Sequence, residues 1–244
     1  MSSSVELSEL TKKRFAGDLK LLKKDPLEFI DAVPSDNLLI WHFLIRGQPK
    51  SDYENGWYIG EIQFPKEYPD KPPNFKLLTP NGRFTKDKSI CMTNTGFHTE
   101  SWSYLWNIHA ILMGFYSIML EDKDTGLAHI KSTKDDRKKY ADNSVNYNME
   151  NHKDVFLKFT RFINEDGTPK TDEELNSEIE QIRAKQVAKE KAKQEKKEKE
   201  KKEKKEKAKQ EKKEKKEQKT KHNKLNEDED DIIFLSKNIS NDKN

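Results

Sequence analysis

Leu7, Leu10, Phe15, Leu19 and Leu22 recur at near-helical spacing among Lys12, Lys13, Arg14, Lys20 and Lys23. That pattern predicts an amphipathic first helix, closed by Asp25-Pro26. The period then changes. Strand-like segments run over 28–33, 38–46, 56–64 and 74–79, separated by Pro34-Ser35-Asp36-Asn37, by Gly47-Gln48-Pro49 and by a proline run from Phe64 to Pro73. Four short consecutive strands with brief turns predict an antiparallel meander. Leu105, Ile108, Ile111, Leu112, Phe115, Ile118 and Met119 restore the helical period on most sides of one helix, which is therefore expected at the centre. Ser132 or Thr133 can cap the next helix, with Asp135 and Asp136 well placed against its dipole. Val155, Phe156, Phe159 and Phe162 predict a last helix, ended by Asp166-Gly167-Thr168-Pro169. Helix, meander, irregular segment and helices make an α+β domain.

Beyond Pro169 the chain has no Gly or Pro, and the pattern becomes one of charge. Glu195/Lys199, Glu198/Lys202, Glu200/Lys204, Glu203/Lys207 and Glu211/Lys215 are Glu-to-Lys pairs at i,i+4, the favourable orientation. Leu175, Ile179 and Ile182 form one short apolar stripe; after it no apolar seam continues, so a solvated single helix is expected rather than a coiled coil. The expected divisions are a core over 1–165, a Lys/Glu-rich helical or disordered spacer over 166–224, and an acidic-hydrophobic disordered tail over 225–244.

Charge sharpens that division. The chain has a net charge of +3, but residues 185–224 hold 20 Lys against 9 Glu. The folded part is thus mildly acidic and the basic character belongs to the spacer. Lysine charge attracts nucleic acid non-specifically, but here it is interleaved with glutamate and lacks aromatics for stacking, so no specific nucleic-acid partner is expected. Residues 108–120 are the longest apolar-rich stretch; His109, Gly114 and Ser117 interrupt it, and it falls short of the roughly 20 residues a bilayer span requires. The start, Met-Ser-Ser-Ser followed by acids, has no secretory-signal pattern. The expectation is a cytoplasmic chain with no membrane-spanning segment.

A single cysteine, Cys91, excludes an internal disulfide framework and a cysteine-based zinc site. A lone cysteine is ordinarily a small buried hydrophobe. This one lies between a strand signal and a buried helix, within an ordered string. Phe64-Pro65-Lys66-Glu67-Tyr68-Pro69-Asp70-Lys71-Pro72-Pro73 and Thr79-Pro80-Asn81-Gly82-Arg83-Phe84 precede it, and Phe97-His98-Thr99-Glu100-Ser101-Trp102 follows. Over about residues 5 to 160 the string resembles the ubiquitin-conjugating enzymes. The gap from Asn81 to Cys91 and the Asn-Gly-Arg-Phe wording resemble the J-type subclass, whose members usually sit on the endoplasmic reticulum by a C-terminal anchor; residues 236–244 hold no such anchor.

The resemblance implies the ubiquitin-conjugating-enzyme fold and an acyl transfer. Cys91 takes ubiquitin as a thioester from the activating enzyme and passes it to a substrate lysine, with serine and threonine as further acceptors to test. The thiolate is the attacking form. No cofactor or metal is implied, since ATP is consumed upstream by the activating enzyme. Asn81, in Thr79-Pro80-Asn81 where the family usually writes His-Pro-Asn, would aim a carboxamide N–H at the developing oxyanion; Asn-Gly is equally an ordinary turn. His98 would be a base for the acceptor or a structural loop histidine, and Asp124 and Thr125 would line the acceptor side or form a solvated loop. The implied partners are ubiquitin, its activating enzyme, RING-type ligases and protein substrates, in protein quality control at the reticulum. Two departures bear on ligase choice: Asp70 replaces an aromatic before Lys-Pro-Pro, and Ser103-Tyr104-Leu105 replaces a Ser/Asn-Pro-Ala stretch. Competing readings are a catalytically silent ubiquitin-binding scaffold and a conjugator of another ubiquitin-like modifier. In the tail, Glu227-Asp228-Glu229-Asp230-Asp231 before Ile232-Ile233-Phe234-Leu235 resembles the short extended motifs that bind such modifiers.

Overall fold

The computed structural model describes residues 7–90, 102–121 and 128–241, with side chains described to residue 207. Helix α1 (Glu9–Lys24) is followed by β1 (Ile30–Pro34), β2 (Ile40–Arg46), β3 (Trp57–Gln63) and β4 (Asn74–Leu77). Then come α2 (Ile108–Leu120), α3 (Lys134–Asn151), the single turn α4 (Lys153–Phe156) and α5 (Asp172–Asn241). The strands form one antiparallel sheet in the order β1-β2-β3-β4, the expected meander. The chain divides into two units, Met1–Ala184 and Lys185–Asn244.

Alternation along the strands gives the sheet two apolar faces. Trp41, Phe43 and Ile45 of β2, Tyr58 and Ile62 of β3, and Phe75 and Leu77 of β4 share one core with Phe15 of α1 and Ile108, Ile111, Leu112, Phe115 and Met119 of α2. Leu44, Trp57 and Ile59 point the other way, into a second core with Leu78, Phe156, Phe159, Phe162, Ile163 and Leu175. Gly60 makes the first core possible: it pairs with Phe43, and a Cβ there would stand 2.0 Å from the Phe43 ring. Without it, the Phe43 ring could not lie across the strand to meet Phe75 and Phe115, at centroid distances of 5.7 and 5.2 Å.

Several expectations change. Leu105 lies outside α2 and is 72% exposed rather than on the central helix. Leu10 is 57% exposed, while Thr11 and Asp18 are buried in its place. Their polar atoms are satisfied inside the fold: the Thr11 hydroxyl donates to the Tyr68 carbonyl at 2.7 Å, and Asp18 accepts from the Ile108 N–H at 3.2 Å. The expected last helix shrinks to α4, because Phe156, Phe159 and Phe162 follow at intervals of three. Consecutive turns bury all three, with Phe159 N–H donating to the Phe156 carbonyl at 3.2 Å and Phe162 N–H to the Phe159 carbonyl at 2.8 Å. The first compact unit runs to Ala184. Leu175 and Ile179 are buried, and Arg46 pairs with Asp172. Lastly, residues 232–235 lie within α5 and are helical rather than extended.

Candidate active site

The segment after β4 leaves the sheet and returns to it. Leu78 and Thr79 N–H groups both donate to the Ile59 carbonyl, at 2.9 and 3.3 Å. The chain then turns through Pro80-Asn81-Gly82. Coming back, Asp87 N–H donates to the Leu77 carbonyl at 2.9 Å and Ile90 N–H to the Phe75 carbonyl at 2.8 Å. Ile90, the residue before Cys91, is fully buried and bridged to β4. Thus Asn81 and the entry to Cys91 depend on the same strand.

Asn81 is 1% exposed. Its Oδ1 accepts from the N–H groups of Arg83 and Phe84, each at 2.8 Å, and its Nδ2 donates to the Thr79 carbonyl at 3.0 Å. Three hydrogen bonds therefore fix the plane of the carboxamide. A primary amide has two N–H donors, so one has no partner among the described residues. The Asn-Gly turn and the held amide are the same object. Gly82 takes φ +74, in the left-handed region, and the Ser132 hydroxyl donates to its carbonyl at 2.5 Å. A Cβ at Gly82 would stand 2.8 Å from that hydroxyl oxygen.

Residues 83–85 are paired with the chain that follows α2. Thr85 N–H donates to the Ala128 carbonyl at 2.7 Å, Ile130 N–H to the Arg83 carbonyl at 3.0 Å, and Phe84 bridges His129. The described chain thus resumes at Ala128 beside the Asn81 turn. Cys91, His98, Asp124 and Thr125 themselves lie outside the described residues.

On the far side of residues 91–101, Trp102 Nε1 donates to the Pro69 carbonyl at 2.8 Å. This brings the Pro69-Asp70 turn against 102–106, where Tyr104 and Leu105 are 62% and 72% exposed. Arg14 of α1 holds that backbone, donating to the carbonyls of Tyr104 at 3.1 Å and of Trp106. Asp18 completes the join; burial pushes its carboxyl up, against the opposing pull of the Arg14 guanidinium at 3.0 Å. His42 and His109 take no part in this geometry: they sit in β2 and α2, and burial lowers both imidazoles.

Residues 14–152 match the family described as ubiquitin-conjugating enzyme, a span that covers Asn81, Cys91, His98, Asp124 and Thr125. The chain belongs to that family. Ubiquitin-conjugating enzyme E2 6 of Eremothecium gossypii is 36% identical over 137 residues, 56% of this chain and 56% of its own. Ubiquitin-conjugating enzyme E2 6 of Schizosaccharomyces pombe is 36% identical over 154 residues, 62% of this chain and 66% of its own. Human Ubiquitin-conjugating enzyme E2 J2 is 36% identical over 149 residues, 61% of this chain and 57% of its own. The chain thus spans between half and two thirds of the length of these relatives, and the expected J-type resemblance agrees with the last of them.

The sequence reading missed the polar face of α3. Its buried residues are Arg137, Ala141, Ser144 and Asn148, a stripe with helical spacing but almost no apolar character. A search for apolar periodicity passes over it. The signal available was the recurrence of small and polar residues at i, i+4, i+7 and i+11 after a capped start, here Thr133 with Asp136 in a capping box.

Among the described residues no group of three or more His, Cys, Asp and Glu could hold a metal ion, and no helix is long and apolar enough to cross a membrane.

Proposed function

We propose that the chain is an active ubiquitin-conjugating enzyme. The Cys91 thiolate attacks the thioester carbonyl of ubiquitin on the activating enzyme. A new carbon–sulfur bond forms, the old one breaks, and the departing sulfur takes the negative charge. An acceptor amine then attacks the Cys91 thioester; negative charge collects on the carbonyl oxygen, the Cys91 sulfur leaves, and the amine gives up its proton. Exchange between two thioesters is nearly balanced, which suits a carrier. The observation that carries this reading is the Asn81 clamp: a buried carboxamide held by three hydrogen bonds, two residues beyond a β3 contact, in a loop whose return reaches the residue before Cys91. Such a donor needs no reorganisation when charge develops, and losing one costs roughly 2.7–4 kcal/mol in comparable sites.

Incubation with activating enzyme, ATP and ubiquitin, followed by gels with and without reductant, tests the first step. A reductant-sensitive adduct absent from Cys91→Ala is expected. Full charging of Cys91→Ala would refute it, and no charging at all would favour the silent scaffold. A panel of ubiquitin-like modifiers in the same assay separates ubiquitin from its relatives.

The finer reading is protein quality control at the endoplasmic reticulum with a RING-type ligase, supported by the J-type resemblance. Tyr104 and Leu105, exposed beside Pro69-Asp70, offer the apolar contact that Asp70 does not. His98, Asp124 and Thr125 are proposed on the acceptor side, and discharge to lysine, serine and threonine compares acceptors. Carbonate-resistant membrane association of the untagged protein would contradict a cytoplasmic location.

A further inference from the structure

We infer that Asn148 of α3 is a positioning residue for the Asn81 carboxamide, acting through the Thr79 hydroxyl. The inference rests on the reading of Asn81 as the donor to the acceptor-side oxyanion.

Asn81 has one N–H committed to the Thr79 carbonyl, so that carbonyl, together with the Arg83 and Phe84 N–H groups on Oδ1, sets the direction of its other N–H. The Thr79 peptide is held from two sides. Towards β3, its N–H donates to the Ile59 carbonyl at 3.3 Å, and its Oγ1 accepts from the Ile59 N–H at 2.9 Å. Towards α3, its hydroxyl proton goes to Asn148 Oδ1 at 2.6 Å. Asn148 is itself fixed, because its Nδ2 donates to the Trp57 carbonyl at 2.8 Å. Ser144, one turn earlier, accepts from the Trp57 N–H at 2.8 Å and donates to the Ala141 carbonyl at 2.6 Å. Thr79, Ser144 and Asn148 are all buried, so water cannot replace a lost partner without rearrangement.

A hydroxyl has one proton to give, and here α3 receives it. Without Asn148 the Thr79 Oγ1 must turn to find another acceptor. The carbonyl on the same residue then loses its lateral restraint, and the Asn81 amide turns with it. The chain has threonine where the family usually writes histidine, and a threonine reaches only as far as a partner brought to it. α3 brings that partner.

The experiment charges the full-length chain with ubiquitin, then follows single-turnover discharge against lysine concentration. Asn148→Ala and Thr79→Val should charge at the wild-type rate. Each should then discharge roughly tenfold more slowly at saturating lysine, less than the ~10²-fold that a 1 Å misplacement can cause. The lysine concentration giving half-maximal rate should not change. Thr79→Ser, which keeps the hydroxyl, should restore discharge. In an Asn81→Ala background, Asn148→Ala should have no further effect, which a general loosening of the fold would not produce. Wild-type discharge by Asn148→Ala, or a slowing that persists undiminished on top of Asn81→Ala, overturns the inference. Wild-type discharge by Asn81→Ala itself removes the underlying reading instead. Should Asn148→Ala fail to fold, Thr79→Val and Thr79→Ser, each with and without Asn81→Ala, give the same decision.

Discussion

Leu175→Ala tests whether the start of α5 belongs to the folded unit. Leu175 is 3% exposed and shares the second core with Leu44, Trp57, Phe159 and Phe162. The substitution removes three carbons, worth about 2.4 kcal/mol at ~0.8 kcal/mol per buried methylene. A residual cavity adds to that, though α5 can settle inward and close part of it. The expected loss is about 3 kcal/mol, within the ~2–5 kcal/mol range of Leu→Ala changes in cores. Urea unfolding followed by circular dichroism and tryptophan fluorescence measures it, with Trp57 reporting on the same core. All four tryptophans lie within Met1–Ala184, so the fluorescence transition is the one to use. A chain ending at residue 165 should be worse. It lacks Leu175, Ile179 and the Arg46–Asp172 pair, although it regains the entropy of fixing the segment. A loss below about 0.5 kcal/mol for Leu175→Ala would refute the packing argument, since surface substitutions usually fall in that range.

Gly60→Ala places a methyl group into the Phe43 ring and should cost about 1–3 kcal/mol or more by overpacking, read as a lowered urea midpoint. Thr133→Ala removes the α3 cap and half of its capping box, at about 1 kcal/mol by the same measurement. Burial lowers the imidazoles of His42, His109 and His152, so the folded state favours their neutral forms while the unfolded chain takes up protons below about pH 6.5. Their contribution is therefore present above that pH and lost as pH falls through it. The urea midpoint should drop between pH 7.5 and 5.5, and His42→Gln should shallow the drop. Burial raises Asp18 and Asp31, which act in the opposite sense at lower pH.

The meander was legible because strand alternation and turn residues encode the same answer twice: Trp41, Phe43 and Ile45 on one face, Leu44 on the other, with prolines and Asn37 between strands. The Asn81 turn was legible from Asn-Gly alone. What stayed hidden was polar burial. Thr11 and Asp18 outcompeted Leu10 for the inward face of α1 because their hydrogen bonds are made by residues 68 and 108, far along the chain. Asn148 was hidden for the same reason, its value residing in Thr79 and Trp57. The three phenylalanines 156, 159 and 162 show a different limit. Spacing reports which residues point inward, and both an α-helix and a run of turns can satisfy it.

The way α3 sits on the sheet has a consequence for slippage. A helix resting on an apolar face can slide by one turn, about 5.4 Å, and still be adhesive. α3 grips both peptide groups of one residue, the Trp57 N–H through Ser144 and the Trp57 carbonyl through Asn148. Sliding by one turn would offer Tyr140 and Ser144, or Asn148 and His152, and neither pair repeats the match. The helix is keyed rather than glued. Replacing the stripe with leucines could bind α3 more tightly and yet leave it several alignments of similar energy, visible as broadened amide resonances in β3 before any fall in melting temperature.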